Sequence, residues 1–362
     1  MINFHEPYVS KKQKKYLLDV TTTSTYLKDK YKNLCEEFLY DMYGKQILLT
    51  HSATAALEIS AKLIFLENQK QCKVSMPSYT FSSTANAFLI ENHKINFIDI
   101  NPEDMIVERD ALSKIKDYLV VVHYGNSCFD FSNTSHNRVI EDAAQSFDAK
   151  LNNKYLGTFG KYGCISFHRT KNIHADYGGL LILNDDSYFD QAKYIYERGT
   201  DRADVIAGSK NKYQWVEKGS SYQISELSSA LLLSQLESKD KIKQIRKEIY
   251  NQYLSQLKIL IDSKKIKIQN INKNLDPNYH SFYIMSNENN RQLLNHLNNF
   301  GIKAYIGYEP LHLSEFSSKN NLSEPLPITE KVYKQIIRLP LHTNLKKDQI
   351  KFITVKIKEF YG

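Results

Sequence analysis

The chain has 362 residues, about 2.4 times a typical ~150-residue domain, so two domains are expected, each long enough to bury an ordinary core. Hydrophobic residues make up 42% and charged residues 24%, and no window nears the ~18 uninterrupted apolar residues of a membrane-spanning helix; a soluble globular protein is expected. The formal charge is +8, but 40 acidic side chains are interspersed with 48 basic ones, which excludes the concentrated basic stripe of a nucleic-acid reader.

The N-terminus, Met1 to Pro7, lacks the basic-then-apolar order of a secretory signal, so the cytoplasm is the expected location. The basic run Lys11-Lys12-Gln13-Lys14-Lys15, followed by Tyr16 and Leu17, reads as the solvated face of an N-terminal helix. From residue 46 to about 185, β-branched runs alternate with helical patterns. Ile47 to Thr50 predicts a strand, and Thr54 to Leu66 a helix with Leu57, Ala61, Ile64 and Phe65 on one face. Further strands are predicted at Ile95 to Ile100, Tyr118 to Tyr124, Arg138 to Glu141, Gly163 to Phe167 and Leu180 to Asn184. Their near-continuous apolarity predicts an α/β fold with a mainly parallel sheet covered on both faces. Ser225 to Leu257 predicts one long interdomain helix. The remainder reads as a smaller α+β unit, with strands near Tyr283 to Met285 and Lys303 to Ile306 and a final helix from Lys347 to Phe360. The division is therefore a large domain over residues 1–240 and a small one over 241–362.

Cys35, Cys72, Cys128 and Cys164 are scattered and form no close pair, so reduced thiols and no zinc site are expected. Gly157, Gly160 and Gly163 do not have dinucleotide-binding spacing and precede a strand instead of following one. His168 and His174 lack a second close ligand pair, so structural or substrate-contacting roles are expected for them, and no metal.

Three segments fall at predicted strand ends, where open α/β sheets bind ligands. His51-Ser52-Ala53-Thr54 is a strand-to-helix corner with N–H groups and hydroxyls suited to a phosphate. Glu141-Asp142 brings a carboxylate out of a buried strand, and Ser166 to Asn172 offers a hydroxyl and the Lys171 amine. Phosphate corner, acid and lysine in that order match pyridoxal phosphate, which has a phosphate to cradle, a ring nitrogen to keep protonated and an aldehyde to capture.

The chain resembles the DegT/StrS family of pyridoxal-phosphate-dependent nucleotide-sugar aminotransferases over nearly its whole length. The resemblance is closest to the branch that aminates C4 of dTDP-4-keto-6-deoxy-D-glucose. It is carried by Leu49 to Glu58, Met76 to Phe88, Glu141-Asp142-Ala143-Ala144-Gln145, Ser166 to Asn172, Gly219 to Leu227, and Arg338-Leu339-Pro340-Leu341. The resemblance implies the fold-type-I aminotransferase architecture and a homodimer with shared active sites. It implies Lys171 as the lysine that holds pyridoxal 5'-phosphate and shuttles the proton. Asp142 would pair with the ring nitrogen, Gln145 would meet the ring hydroxyl, and Ala53, Thr54 and Ser166 would hold the phosphate. Phe81 would stack on the ring, with Tyr79 the lesser candidate, and Ser221 would reach the neighbouring subunit's phosphate. L-glutamate would be the amino donor, and the amino sugar would feed surface polysaccharide synthesis. The sequence departs from the family in the loop after Lys171, which is one residue shorter, and at Thr21 to Tyr26, which replaces a glycine-containing loop. A 3-aminotransferase, a transaminase for another nucleotide sugar, and a non-catalytic sugar-nucleotide-binding relative remain open alternatives.

Overall fold

The computed structural model describes residues 1–22, 29–108, 110–132, 136–287 and 289–362. Two N-terminal helices, α1 (Gln13–Thr22) and α2 (Lys30–Tyr43), lead into β1 (Gln46–Thr50). There follow α3 (Ala53–Asn68), β2 (Lys73–Pro77), α4 (Ser82–Ile90), β3 (Lys94–Ile98), β4 (Tyr118–Val122) and β5 (Val139–Asp142), then strands Tyr162–Ser166 and Gly179–Leu183. These form one seven-stranded sheet in the order β1, Gly179–Leu183, Tyr162–Ser166, β5, β4, β2, β3. Only Gly179–Leu183 runs antiparallel to its neighbours, as expected for a mainly parallel sheet.

Both faces of this sheet are covered, which explains why its strands are continuously apolar. Leu48, Val120, Ile140, Cys164, Leu181 and Leu183 pack against α3 and α4 on one side. Their strand neighbours Ile47, Leu49, Ile165, Leu180 and Ile182 point the other way, onto α2 and the Glu226–Leu236 helix. The two-residue alternation thus places an apolar side chain on each face in turn. All four cysteines are buried free thiols. Among the described residues, no helix is long and apolar enough to cross a membrane.

The Ser225 to Leu257 stretch is not one helix but two, Glu226–Leu236 and Lys239–Asp262. Two polar residues separate them and serve other partners. Glu237 accepts from Tyr16 of α1 at 3.0 Å and pairs with Lys12 at 3.1 Å, while Ser238 Oγ donates back to Ser234 O at 3.0 Å. The second helix then joins a different core with Ile266, Phe282, Ile284, Leu293, Ile337 and Ile353. There, strands Ile266–Ile268, Phe282–Ser286 and Ile336–Leu339 pair antiparallel under helices Asn290–Asn299 and Lys347–Tyr361. Residue 240 lies in the first turn of the Lys239–Asp262 helix.

Residues Lys303 to Ile306 do not form the predicted strand. Their neighbourhood is divided: Ile302 bridges the N-terminal Ile2, Lys303 N donates to Ile2 O, and only Tyr305 bridges Arg338 before Gly307 turns away at a φ of 107°. The N-terminus is thereby tied to the C-terminal core, to which Ile2 contributes. Of the unusual Thr21 to Tyr26 segment, Thr21 and Thr22 end α1, and residues 23–26 lie outside the described residues.

Candidate active site

A cavity of about 480 Å³ opens at the C-terminal ends of the sheet strands and is closed by the C-terminal unit. The phosphate corner forms one wall. Ser52 caps α3 by accepting from Ala55 N at 3.1 Å, which fixes the helix start; Ala53 and Thr54, whose first-turn N–H groups have no intrahelical acceptor, line the cavity. Thr54 Oγ1 donates to Ser83 Oγ at 2.8 Å. The neighbouring strand approaches so closely that a Cβ on Gly179 would stand 2.2 Å from the Ser52 carbonyl carbon, so only glycine fits there.

Asp142, at the end of β5, is buried and ordered by two donors. Thr84 Oγ1 donates to Oδ2 at 2.7 Å and Ala144 N to Oδ1 at 3.2 Å. Thr84 in turn lies 2.8 Å from Thr80 Oγ1, so the first turn of α4 aims the carboxylate. Gln145 is held by Gly125 N, which donates to its Oε1 at 2.9 Å, and donates from Nε2 to the Tyr308 hydroxyl at 3.1 Å; its second amide hydrogen remains available. Ser166, at the end of its strand, accepts from His168 N at 3.3 Å.

Lys171 follows in a tight turn in which its N–H donates to His168 O at 2.8 Å. Asn172 anchors that turn to the C-terminal unit by donating to Asn278 O at 2.7 Å and facing His280 Nδ1 at 3.1 Å. No hydrogen bond or ion pair among the described residues occupies the Lys171 amine. Burial pushes its pKa from 10.5 down to about 8; Asp142 pulls it upward and Arg338 presses it down. The amine is thus poised between base and ammonium near neutral pH.

The cavity brings together Ala53, Thr54, Phe81, Asp142, Gln145, Ser166 and Lys171. Phe81 precedes α4 at the rim, 59% exposed, with its ring 6.0 Å from that of Tyr308. Tyr79 is buried behind the cavity among Tyr124 and Tyr308 and does not line it. Ser221 lies elsewhere: it is exposed, accepts from Arg198 Nη2 at 3.0 Å, and does not line the cavity of its own chain.

Phe4, His5, Thr84, His123, His280, Ser281, Tyr308 and Arg338 also line the cavity, with no role expected for their side chains from the sequence. They come from segments far apart in the chain, and no local spacing marks them. The three glycines set aside as a dinucleotide motif have a structural purpose. Gly157 N, Phe159 N and Gly160 N donate to the fully buried Glu141 carboxylate at 2.6 to 2.7 Å, and His123 Nε2 meets it at 3.0 Å. Gly163 is needed because a Cβ there would stand 2.0 Å from Gly157 O. His168 lies 2.9 Å from Thr170 Oγ1, His174 faces Tyr8 O, and no group of three metal-ligating side chains exists among the described residues.

Residues 7–358 match the DegT/DnrJ/EryC1/StrS aminotransferase family. Similar curated proteins include the GDP-perosamine synthase of Escherichia coli O157:H7, 25% identical over 100% of this chain and 99% of that one. The UDP-4-amino-4,6-dideoxy-N-acetyl-beta-L-altrosamine transaminase of Helicobacter pylori is 24% identical over 97% and 95%. Among solved structures, Helicobacter pylori PseC, an aminotransferase involved in the biosynthesis of pseudoaminic acid, superimposes with a TM-score of 0.88 at 22% identity, covering 99% of this chain and 98% of that one. The sugar aminotransferase CalS13 from Micromonospora echinospora gives 0.86 at 20%, covering 99% and 100%. The chain therefore belongs to the DegT/DnrJ/EryC1/StrS aminotransferases and is a pyridoxal-phosphate-dependent sugar aminotransferase of fold type I.

Proposed function

We propose that this protein transfers an amino group from L-glutamate to the keto carbon of a nucleotide-activated deoxyhexose, C4 of dTDP-4-keto-6-deoxy-D-glucose, in the cytoplasm, for surface polysaccharide synthesis. The observation that carries the reading is Lys171: an unpaired amine with a pKa of about 8, in one cavity with a helix N-terminus and a buried carboxylate. These groups fit pyridoxal 5'-phosphate. Ala53, Thr54 and Ser166 would hold its phosphate, Asp142 would pair with its ring nitrogen, Gln145 would meet its ring hydroxyl and Phe81 would stack on the ring. Once bound to Lys171, the cofactor supplies an electron sink that makes a substrate C–H bond acidic.

The chain's own residues then position and move protons. The Asp142 carboxylate, aimed by Thr84, keeps a positive charge opposite it, and hydrogen bonds to a charged group are worth about 1.5–3 kcal/mol. In each half-reaction Lys171 Nζ would move a proton between the substrate carbon that bears the nitrogen and the aldehyde carbon of the cofactor, taking it up at one and releasing it at the other, a task suited to a pKa near neutrality.

The dTDP sugar is supported by Gly219-Ser220-Ser221-Tyr222, which resembles the 4-aminotransferase branch where most of the family carries Asn in place of Ser221. A second reading, a GDP- or UDP-linked keto sugar, is favoured by the printed activities of the two curated relatives. A homodimer fits the exposed Ser221 turn and the exposed apolar side chains Ile206 and Trp215 earlier in the chain, 72% and 79% exposed. The deciding experiment incubates the protein with L-glutamate and dTDP-, GDP- and UDP-linked 4-keto-6-deoxyhexoses and identifies products by mass spectrometry and NMR. A 4-amino product from the dTDP sugar alone supports the first reading. Preference for another nucleotide supports the second, and no amination of any panel member contradicts both.

A further inference from the structure

Beyond β4 the chain makes a buried turn over residues 124–127, closed by Ser127 N donating to Tyr124 O at 3.0 Å. Its other polar groups meet the C-terminal unit. Gln269, one residue past the Ile266–Ile268 strand and buried, applies its whole amide to this turn. Asn126 N donates to Gln269 Oε1 at 3.1 Å, and Gln269 Nε2 donates to Tyr124 O at 3.0 Å and to Ser127 Oγ at 2.7 Å. A backbone N–H only donates and a carbonyl only accepts, so the orientation of this amide is fixed and both of its hydrogens are used. Asn126 Nδ2 adds a bond to Ser281 O at 2.8 Å. Gly125, within this clamp, has a φ of 64°, and a Cβ there would stand 3.0 Å from Ser281 Oγ and 3.1 Å from the Gln269 amide. Glycine therefore suits both the turn and the close approach.

The clamped turn presents one further donor. Gly125 N donates to Gln145 Oε1 at 2.9 Å, and Gln145 Nε2 donates to the Tyr308 hydroxyl at 3.1 Å. Both ends of the Gln145 amide are thus set by groups that the C-terminal unit holds or supplies, which leaves its second Nε2 hydrogen for the cavity that Gln145 lines. Resting on the assignment of Gln145 to the cofactor's ring hydroxyl proposed above, we infer that Gln269 is a positioning residue for the reaction: by holding the 124–127 turn it fixes the Gln145 amide with an N–H toward the ring oxygen. A donor there favours the deprotonated oxygen and loosens its hold on the proton it shares with Lys171 Nζ. Without the clamp, Gly125 N no longer pins Oε1, and the amide is free to turn its oxygen to the ring instead. The ring oxygen then holds the proton more tightly.

The test compares the cofactor-loaded parent protein with Gln269→Met, Gln145→Met, the double variant and the milder Ser127→Ala, which removes one bond of the clamp. The pH midpoint of the visible absorbance change reads how firmly the shared proton is held, and the rate of bleaching by L-glutamate reads the reaction. Gln269→Met and Gln145→Met should keep visible absorbance, raise the midpoint by about half to one pH unit each, as for the loss of one ordinary hydrogen bond, and slow bleaching ~5-fold. Because Gln269 acts through Gln145, the double variant should shift the midpoint no further than Gln145→Met alone. Ser127→Ala should shift it in the same direction by less, and decides the matter if Gln269→Met does not fold. A Gln145→Met protein that shifts the midpoint while Gln269→Met, or Ser127→Ala in its place, stays within ~0.1 unit of the parent overturns the inference. So does a double variant whose shift is the sum of the two single shifts, because Gln269 then acts by another route. A parent that takes up no cofactor, or a Gln145→Met protein with the parental midpoint, contradicts the underlying assignment of Gln145, and this inference with it.

Discussion

Replacing Lys171 by methionine separates the energetic cost of this amine from its chemical use. In the cofactor-free protein the amine titrates at about 8 instead of 10.5, chiefly because burial strips its water. The folded state therefore holds this proton less tightly than the unfolded chain does. Below pH 8 the charged amine destabilises the fold by up to ~3 kcal/mol, and the penalty falls to ~1 kcal/mol at pH 10 as the unfolded lysine also approaches neutrality. Methionine keeps the length and removes the charge, so cofactor-free Lys171→Met should be more stable than the parent by up to ~3 kcal/mol at pH 7, and by ~1 kcal/mol at pH 10. The same shift leaves roughly a quarter of folded molecules with a neutral amine at pH 7.5, against ~0.1% for an ordinary lysine. Urea unfolding of both proteins at the two pH values measures the difference directly. A variant less stable than the parent, or a gap that does not change with pH, would show that the amine is solvated or ion-paired in the folded protein.

Asp142→Asn preserves shape but removes the charge that Thr84 aims, so cofactor should still bind while bleaching by glutamate slows ~100-fold or more; stopped-flow absorbance reads this, and a rate within twofold of the parent would mean that the ring nitrogen pairs elsewhere. Mixing inactive Lys171→Ala with Ser221→Trp under subunit exchange should restore up to about half the parental activity per heterodimer, because one site then combines an intact lysine with an intact turn. Exchange without recovery rules out the shared site. Glu141→Ala strands three backbone N–H groups and the His123 ring in the interior, and should cost ~3–5 kcal/mol in denaturant unfolding; a loss under 1 kcal/mol would show that the 157–160 loop does not depend on this carboxylate.

The parts of the site legible in the sequence are those at the ends of sheet strands. Thr50 to Thr54, Glu141-Asp142 and Ser166 to Lys171 each join a buried strand to a polar turn, so the chemistry follows an apolar run that sequence patterning detects. The helix after Ser52 was legible from Leu57, Ala61, Ile64 and Phe65 at helical spacing. What escaped depends on packing between distant segments. Arg338, His280 and Tyr308 reach the cavity only because the C-terminal sheet docks over it, and Thr84 matters only because α4 starts beside Asp142. The division of the long helix at Glu237-Ser238 was hidden because a hydrophilic helical stretch reads alike whether continuous or broken. Its break is set by contacts with Tyr16 and Lys12, more than two hundred residues away in sequence. The Lys303 to Ile306 run has strand-like composition, but its hydrogen bonds are shared between the N-terminus and Arg338.

Lys171 as the residue that holds the cofactor of a glutamate-dependent transamination can be tested directly on the protein. The most direct measurement loads the protein with pyridoxal 5'-phosphate, traps the linkage with borohydride and maps the modified peptide by mass spectrometry, with a second aliquot treated with L-glutamate before trapping. A single pyridoxyl group is expected on Lys171, lost when glutamate is added first, with release of 2-oxoglutarate. A label on any other lysine, no label, or a Lys171 label that glutamate leaves unchanged would contradict it.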